Sequence, residues 1–160
     1  MEEKEILRSA RIEDMPAVLE LIKELASYEK ALPEVAMTVA QLQEDGFGDT
    51  PLFHIQLMEV LGEIVGMSFC YFRYSTWKGK TWYLEDLIVK EAFRGKSYGK
   101  KLFEATLAEA KKRAANRLEW QVLDWNHPAI DFYNKQGAIL DSEWINCRFT
   151  AEQIQEFQKK

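Results

Sequence analysis

The chain has 160 residues, 47% of them hydrophobic and 12% aromatic, with 26 acidic against 21 basic side chains and a formal net charge of −5. That length and composition fit one folded domain over residues 1–160, without disorder or repeats. The acidic balance excludes a general nucleic-acid or anionic-membrane surface. In chain order, "EILRSA" alternates as a short strand, and "RIEDMPAVLELIKELASYEK" puts Ile12, Met15, Val18, Leu19, Ile22, Leu25 and Ala26 on one helical stripe, with Pro16 in the first turn. Thr38 and Gln41 have capping-box spacing before a short second helix that Gly46 can end. "LFHIQLMEV" and "IVGMSFCYFRY" read as a hairpin turning at Leu61-Gly62-Glu63, and "KTWYLEDLIV" as a third strand. From Gly99 the period becomes helical toward Asn116, followed by a strand in "RLEWQVLDW". "NHPAIDFYNKQG" is a short helix with an Asn cap, Pro128 in its first turn and Gly137 at its end. "AILDSEWINCRF" supplies the last strands, and the Thr-x-x-Gln of "TAEQIQEF" opens a terminal helix.

The start "MEEKEILRSA" lacks a long apolar core and a cleavage site, and no later stretch approaches a membrane-spanning run, so a soluble, cytoplasmic protein is expected. Cys70 and Cys147 have no CxxC or His/Cys spacing, and His54 and His127 are isolated. We expect reduced thiols and no metal site.

The chemistry concentrates in "VKEAFRGKSYGKKLF". A strand ending at Val89, a basic glycine-containing turn and a helix starting near Gly99 expose successive backbone N–H groups at the positive end of a helix dipole, which suits a pyrophosphate. Arg94, Lys96, Lys100 and Lys101 add side-chain charge, although they equally describe a solvated helix start. Neither Walker-A nor G-x-G-x-x-G spacing is present, so nucleotide hydrolysis and hydride transfer fit poorly. A second concentration is Glu85-Asp86 within "WYLEDLIV", two adjacent acids in an otherwise apolar strand. Simple alternation sends them to opposite faces.

"RGKSYGKKL" resembles the acetyl-coenzyme A loop of the GNAT acetyltransferases, Arg/Gln-x-x-Gly-x-Gly/Ala, with Ser97 in place of the middle glycine. "LIKELASYE", "EDGFG", "YSTWKGKTWYLED" and "LDWNHPAIDFYNKQGA" resemble, in the same order, segments of the spermidine/spermine and thialysine branch of that family. The resemblance implies an α/β GNAT fold: a mixed, mostly antiparallel central sheet of about six to seven strands with helices on both faces. It implies acetyl-CoA as co-substrate, cradled by Leu87, Val89, Arg94, Gly95, Lys96, Ser97, Tyr98, Gly99 and Lys100, with Asn126 and Lys135 also contacting it. It assigns Glu85 as the base, acting through water, and Tyr133 as the acid for the departing thiolate. It places Glu29, Ser75, Trp77, Glu85 and Asp86 around the amine. Read on their own residues, Tyr133 is a core tyrosine and Trp77 a turn aromatic.

Ser97 is compatible with the loop if the site needs ordinary helical angles. A strand bulge near Leu87 or Ile88 would supply an oxyanion donor. Polyamine-specific members carry an acid where this chain has Ser75, so attraction for a long polycation is weakened and a substrate bearing its own carboxylate is tolerated. The expectation is an N-acetyltransferase for a small diamine or thialysine-like amine, reacting by direct attack in a ternary complex. Its partners are a small amine and a second copy of the chain as a homodimer, with no nucleic acid or membrane. Acetylation of a protein or peptide amine and a non-catalytic acyl-CoA-binding module are the alternatives.

Overall fold

In the computed structural model, which describes residues 4–157, the first alternating segment forms β1 (Glu5–Ser9). It joins β2 (His54–Val60), β3 (Glu63–Ser75), β4 (Gly79–Val89) and β5 (Arg117–Glu119) in one sheet, in the order β1-β2-β3-β4-β5. The first three pairings are antiparallel and β4–β5 is parallel. The β2–β3 turn is tight because Leu61 and Gly62 both take positive φ, 52° and 84°, which matches the twist of the strands it joins. With five strands, this mixed sheet corrects the expectation of six to seven. Of "RLEWQVLDW" only Arg117–Glu119 pairs, and residues 138–149, despite their branched and aromatic side chains, form no strand. Such side chains favour a strand only where a neighbouring edge completes the hydrogen-bond ladder.

Helix α1 (Met15–Tyr28) follows a 3-10 turn at Ile12–Asp14 and carries Pro16 in its first turn. Helix α2 (Val39–Phe47) opens with the expected box, Gln41 N–H donating to Thr38 Oγ1 at 3.2 Å. It ends at Gly48 rather than Gly46. Gly46 lies inside the helix, where the Phe53 ring leaves no room for a side chain: a Cβ there would lie 2.5 Å from it. Helix α3 (Tyr98–Lys112) completes the unit.

The sheet is covered on both faces. On one, Met15, Val18 and Leu21 of α1 and Leu42 of α2 pack with Ile55, Leu57, Met67 and Ile88. On the other, Tyr98 and Leu102 of α3 pack with Met58, Val60, Val65 and Val89. Burial of these apolar surfaces is the main stabilising term, and it fixes which side each strand residue faces. An ion-pair network ties β1 to α1: Arg8 donates to both carboxylate oxygens of Asp14, at 2.7 and 2.9 Å, and to Glu59 at 2.9 Å.

By contact the chain divides into two compact units, Met1–Gln121 and Val122–Lys160. The second holds α4 (His127–Lys135), where Ala129 N–H donates to the Asn126 side chain at 3.4 Å and Pro128 occupies the first turn. Gly137, at φ 81°, lets Ala138 N–H reach back to the Tyr133 carbonyl at 3.1 Å and stops the helix. Helix α5 (Ala151–Gln155) starts with the Thr150–Gln153 box. Among the described residues, no helix is long and apolar enough to cross a membrane.

Candidate active site

Two backbone irregularities of the first unit build the site. The first is in β4. Phe69 pairs with Asp86 while the next β3 residue, Cys70, pairs with Leu84, so Glu85 is an extra residue with no partner across the ladder. A bulge of this kind resets the alternation of side chains. Beyond it Ile88 belongs to the α1-side core, and Leu87 and Val89 pack on the α3 side. Asp86, two residues from Ile88, therefore faces α1. Glu85 turns the same way: Tyr71 Oη donates to Glu85 Oε2 at 2.8 Å, and Tyr71 lies two residues from Phe69 of the α1-side cluster.

The two acids thus share a side, where alternation predicted opposite faces, and the bulge sits at Glu85 rather than near Leu87 or Ile88. Burial, then the charges of Glu85 and Glu29, push the Asp86 carboxyl up to about 7. Glu29, at the C-terminus of α1, is itself raised by burial. Three carboxylates of this kind gathered at one place suit a cation. Burial and the Glu85 carboxylate also hold the Tyr71 phenol above its ordinary value, so it remains a donor to Glu85.

The second irregularity is where β4 ends. Lys90 N–H donates to Val65 O at 2.8 Å, which fixes the phase of the β3–β4 ladder. By the antiparallel alternation, Leu87 and Val89 turn their N–H and C=O groups away from β3. On that side β5 pairs only with Thr81–Tyr83, and among the described residues no strand pairs with the β4 edge beyond Tyr83. After a 3-10 turn at Glu91–Phe93, Gly95 (φ 79°) and Ser97 (φ 65°, ψ 10°) both take left-handed backbone before α3 begins. Ser97 therefore does not adopt the ordinary helical angles expected of it. It holds the conformation for which glycine is suited, and its side chain makes no cap hydrogen bond.

The first intrahelical bond of α3 runs from Lys101 N–H to Ser97 O, 3.0 Å. Among the described residues the N–H groups of Gly95, Ser97 and Gly99 donate to no carbonyl, a donor set fit for a pyrophosphate. The basic side chains contribute less than the sequence suggests. Arg94 Nε donates to Val89 O at 3.0 Å and its guanidinium lies over Tyr28. Lys100 is 3.7 Å from Glu104, and Lys101 pairs with Glu5 of β1. Lys96 lies over the Phe93 ring at 5.8 Å, and the Tyr98 side chain is buried in the α3-side core.

Ser75 and Trp77 lie in the β3–β4 turn, away from the acids. Ser75 is opposite Gly79, four residues along β3 from Tyr71, and its Oγ accepts Trp77 N–H at 3.2 Å and Lys78 N–H at 3.1 Å. It forms the turn. Trp77 is 78% exposed. In the second unit, Asn126 caps α4, Lys135 is exposed in its last turn, and Tyr133 is buried with its ring 5.3 Å from Phe132.

Sequence reasoning missed a row on the α1-side face of β3. Tyr71 stacks with Tyr83 at 5.3 Å, and the guanidinium of Arg73 lies over the Tyr83 ring at 5.5 Å. Period-two spacing of Tyr71, Arg73 and Ser75 against buried Cys70 was the signal that could have found it.

Residues 16–138 match the family model described as the Acetyltransferase (GNAT) family. A thialysine N-epsilon-acetyltransferase of Bos taurus is 39% identical over 166 residues, covering 97% of this chain and 98% of that protein. A spermidine/spermine N(1)-acetyltransferase-like protein 1 of Homo sapiens is 37% identical over 92% of this chain, which spans 23% of its length. The solved structure of an integron cassette protein from the mobile metagenome of V. cholerae superposes with a TM-score of 0.77 at 20% identity, over 95% of this chain and 96% of that one. With the family match spanning most of its length, and a relative at 39% identity matched almost end to end, the chain belongs to the GNAT acetyltransferase family.

Proposed function

We propose that this N-acetyltransferase moves acetyl from acetyl-CoA to the primary amine of a small diamine or thialysine-like substrate, by direct attack in a ternary complex, with residues 1–160 acting as one domain. The observation that carries the reading is the bulge at Glu85, which gathers Glu85, Asp86 and Glu29 on one side of β4. Acetyl-CoA supplies an activated acyl group and a thiolate leaving group. The amides of Gly95, Ser97 and Gly99 hold its pyrophosphate, and the outward Leu87 C=O and Val89 N–H align the rest along the edge of β4. Asp86 and Glu29 attract the ammonium form of the amine, and Glu85, oriented by Tyr71, accepts its proton through water so that the lone pair can attack. Leu87 N–H, directed to the open edge, donates to the carbonyl oxygen as charge develops there.

Tyr133 protonates the departing thiolate, a role supported by the family resemblance of "NHPAIDFYNKQGA". The protein works in the cytoplasm as a homodimer, for which Trp144, Ile145 and Phe149, all more than two-thirds exposed, offer apolar contact area. The test is acetyl-CoA-dependent thiol release with thialysine, lysine, spermidine, spermine, short diamines and a lysine peptide. Turnover of a short diamine or thialysine, slowed by both Glu85→Gln and Tyr133→Phe, is expected. Tight acetyl-CoA binding with no turnover of any amine would sink the proposal.

A further inference from the structure

We infer that Arg73 receives a carboxylate on the amine substrate, which makes the site selective for amino-acid-type amines over polyamines; this rests on the amine-acetyltransferase reading above. Arg73 continues the row that begins at the proposed base. Glu85 is bonded to Tyr71, Tyr71 stacks on Tyr83, and the Arg73 guanidinium lies over the other part of that stack at 5.5 Å from the Tyr83 centroid. Tyr71 and Arg73 occupy alternate positions on β3, so their backbones are about 7 Å apart along the strand on one face of the sheet. The row thus puts a cation on the same face as Glu85, one alternate strand position beyond the tyrosine that bonds it.

The guanidinium is held but not used up. Its acidic neighbour, Glu119, is 3.8 Å away, beyond hydrogen-bond distance, and Glu119 also faces Arg117 Nε at 3.0 Å. The Arg73 side chain is 59% exposed, and among the described residues it donates no hydrogen bond. The Tyr83 ring beneath it limits where the guanidinium can go, and its planar fork matches a carboxylate with two parallel N–H···O bonds. The face is therefore dipolar, with Glu85 and its neighbouring acids at one end for the ammonium and, at the other, two arginines, Arg73 and Arg117, around the one acid Glu119. A substrate with a second ammonium instead of a carboxylate would set that charge against Arg73. Ser75, the next residue on this face, offers no compensating acid, and its hydroxyl is engaged in the turn. Selectivity of this kind combines an attraction with a repulsion.

The experiment uses matched pairs that differ only in the carboxylate: lysine against 1,5-diaminopentane, and ornithine against 1,4-diaminobutane. The ratio of kcat/KM within each pair is measured for the native protein, Arg73→Gln and Arg73→Lys, with thermal melts to confirm that each variant folds. We expect the native protein to favour the amino acid in both pairs. Arg73→Gln should cut that ratio about tenfold, chiefly through KM, equivalent to about 1.4 kcal/mol. Arg73→Lys should restore part of it, and spermidine turnover should rise in Arg73→Gln. If both members of each pair are acetylated but Arg73→Gln leaves the ratios unchanged, or if the native protein prefers the decarboxylated member, the inference fails while the acetyltransferase reading stands. If no amine is acetylated, both fail together.

Discussion

Replacing Asp86 with Asn should stabilise the protein in alkaline solution and do progressively less as the pH falls. The Asp86 carboxyl titrates near 7 when folded against an ordinary 3.8, because burial and the neighbouring Glu85 and Glu29 charges oppose its ionisation. A carboxyl whose folded value is raised contributes its full stability below the unfolded value and loses it as the pH rises through the folded one. Each pH unit inside that window costs about 1.4 kcal/mol, so between about pH 5 and pH 8.5 the native chain should lose about 3 kcal/mol that Asp86→Asn does not. Urea denaturation of the two proteins at both pH values reads this directly, as a gap between midpoints that widens by about 1–2 M at the higher pH. The same coupling acts on substrate. An ammonium ligand favours ionised Asp86, so KM for the amine should fall as pH rises through about 7. A midpoint gap that is the same at both pH values would show that Asp86 does not carry the raised proton affinity, and the carboxylate cluster would lose its support.

Substitutions at three further positions can be checked. Tyr71→Phe keeps the ring stacked on Tyr83 but removes the 2.8 Å donor to Glu85, and kcat should fall about three- to tenfold with little change in amine KM; an unchanged kcat would remove Tyr71 from the proton path. At Ser97, left-handed backbone costs a side chain about 1 kcal/mol, nearly offset by the extra freedom glycine gains when unfolded, so Ser97→Gly should change stability by less than about 0.5 kcal/mol. Acetyl-CoA affinity, by calorimetry, should hold or improve in Ser97→Gly and drop in Ser97→Val, whose branched Cβ suits φ 65° poorly. Asp14 is held below its ordinary value first by the Arg8 guanidinium, a contribution present above about pH 4 and lost as pH falls through the folded value. Asp14→Asn should therefore cost about 2–3 kcal/mol in urea denaturation at neutral pH and much less in acid.

The chain's own pattern determined most of the local structure. The Thr38 and Thr150 boxes, the Asn126 cap and the Leu61-Gly62 turn depend on residues a few positions apart and form where the spacing places them, as does the first helical stripe from Met15 on, while Ile12 falls in the preceding 3-10 turn and is exposed. The same is true of the turn between β4 and α3, the feature through which the family resemblance is legible. What the sequence could not supply depends on pairing between distant segments. One extra residue in β4 relative to β3 decides that Glu85 and Asp86 share a side, and a register is a property of two strands at once. Residues 138–149 have strand-like composition, yet composition cannot provide a partner edge, and none forms a ladder there. Ser97 in left-handed backbone, the Tyr71–Glu85 bond and the stacking of Arg73 on Tyr83 follow from how the sheet and α3 are held against the core. The residue types of the site were thus set by the sequence, and the grouping of Glu85 and Asp86 on one side of β4 by the register of β3 on β4.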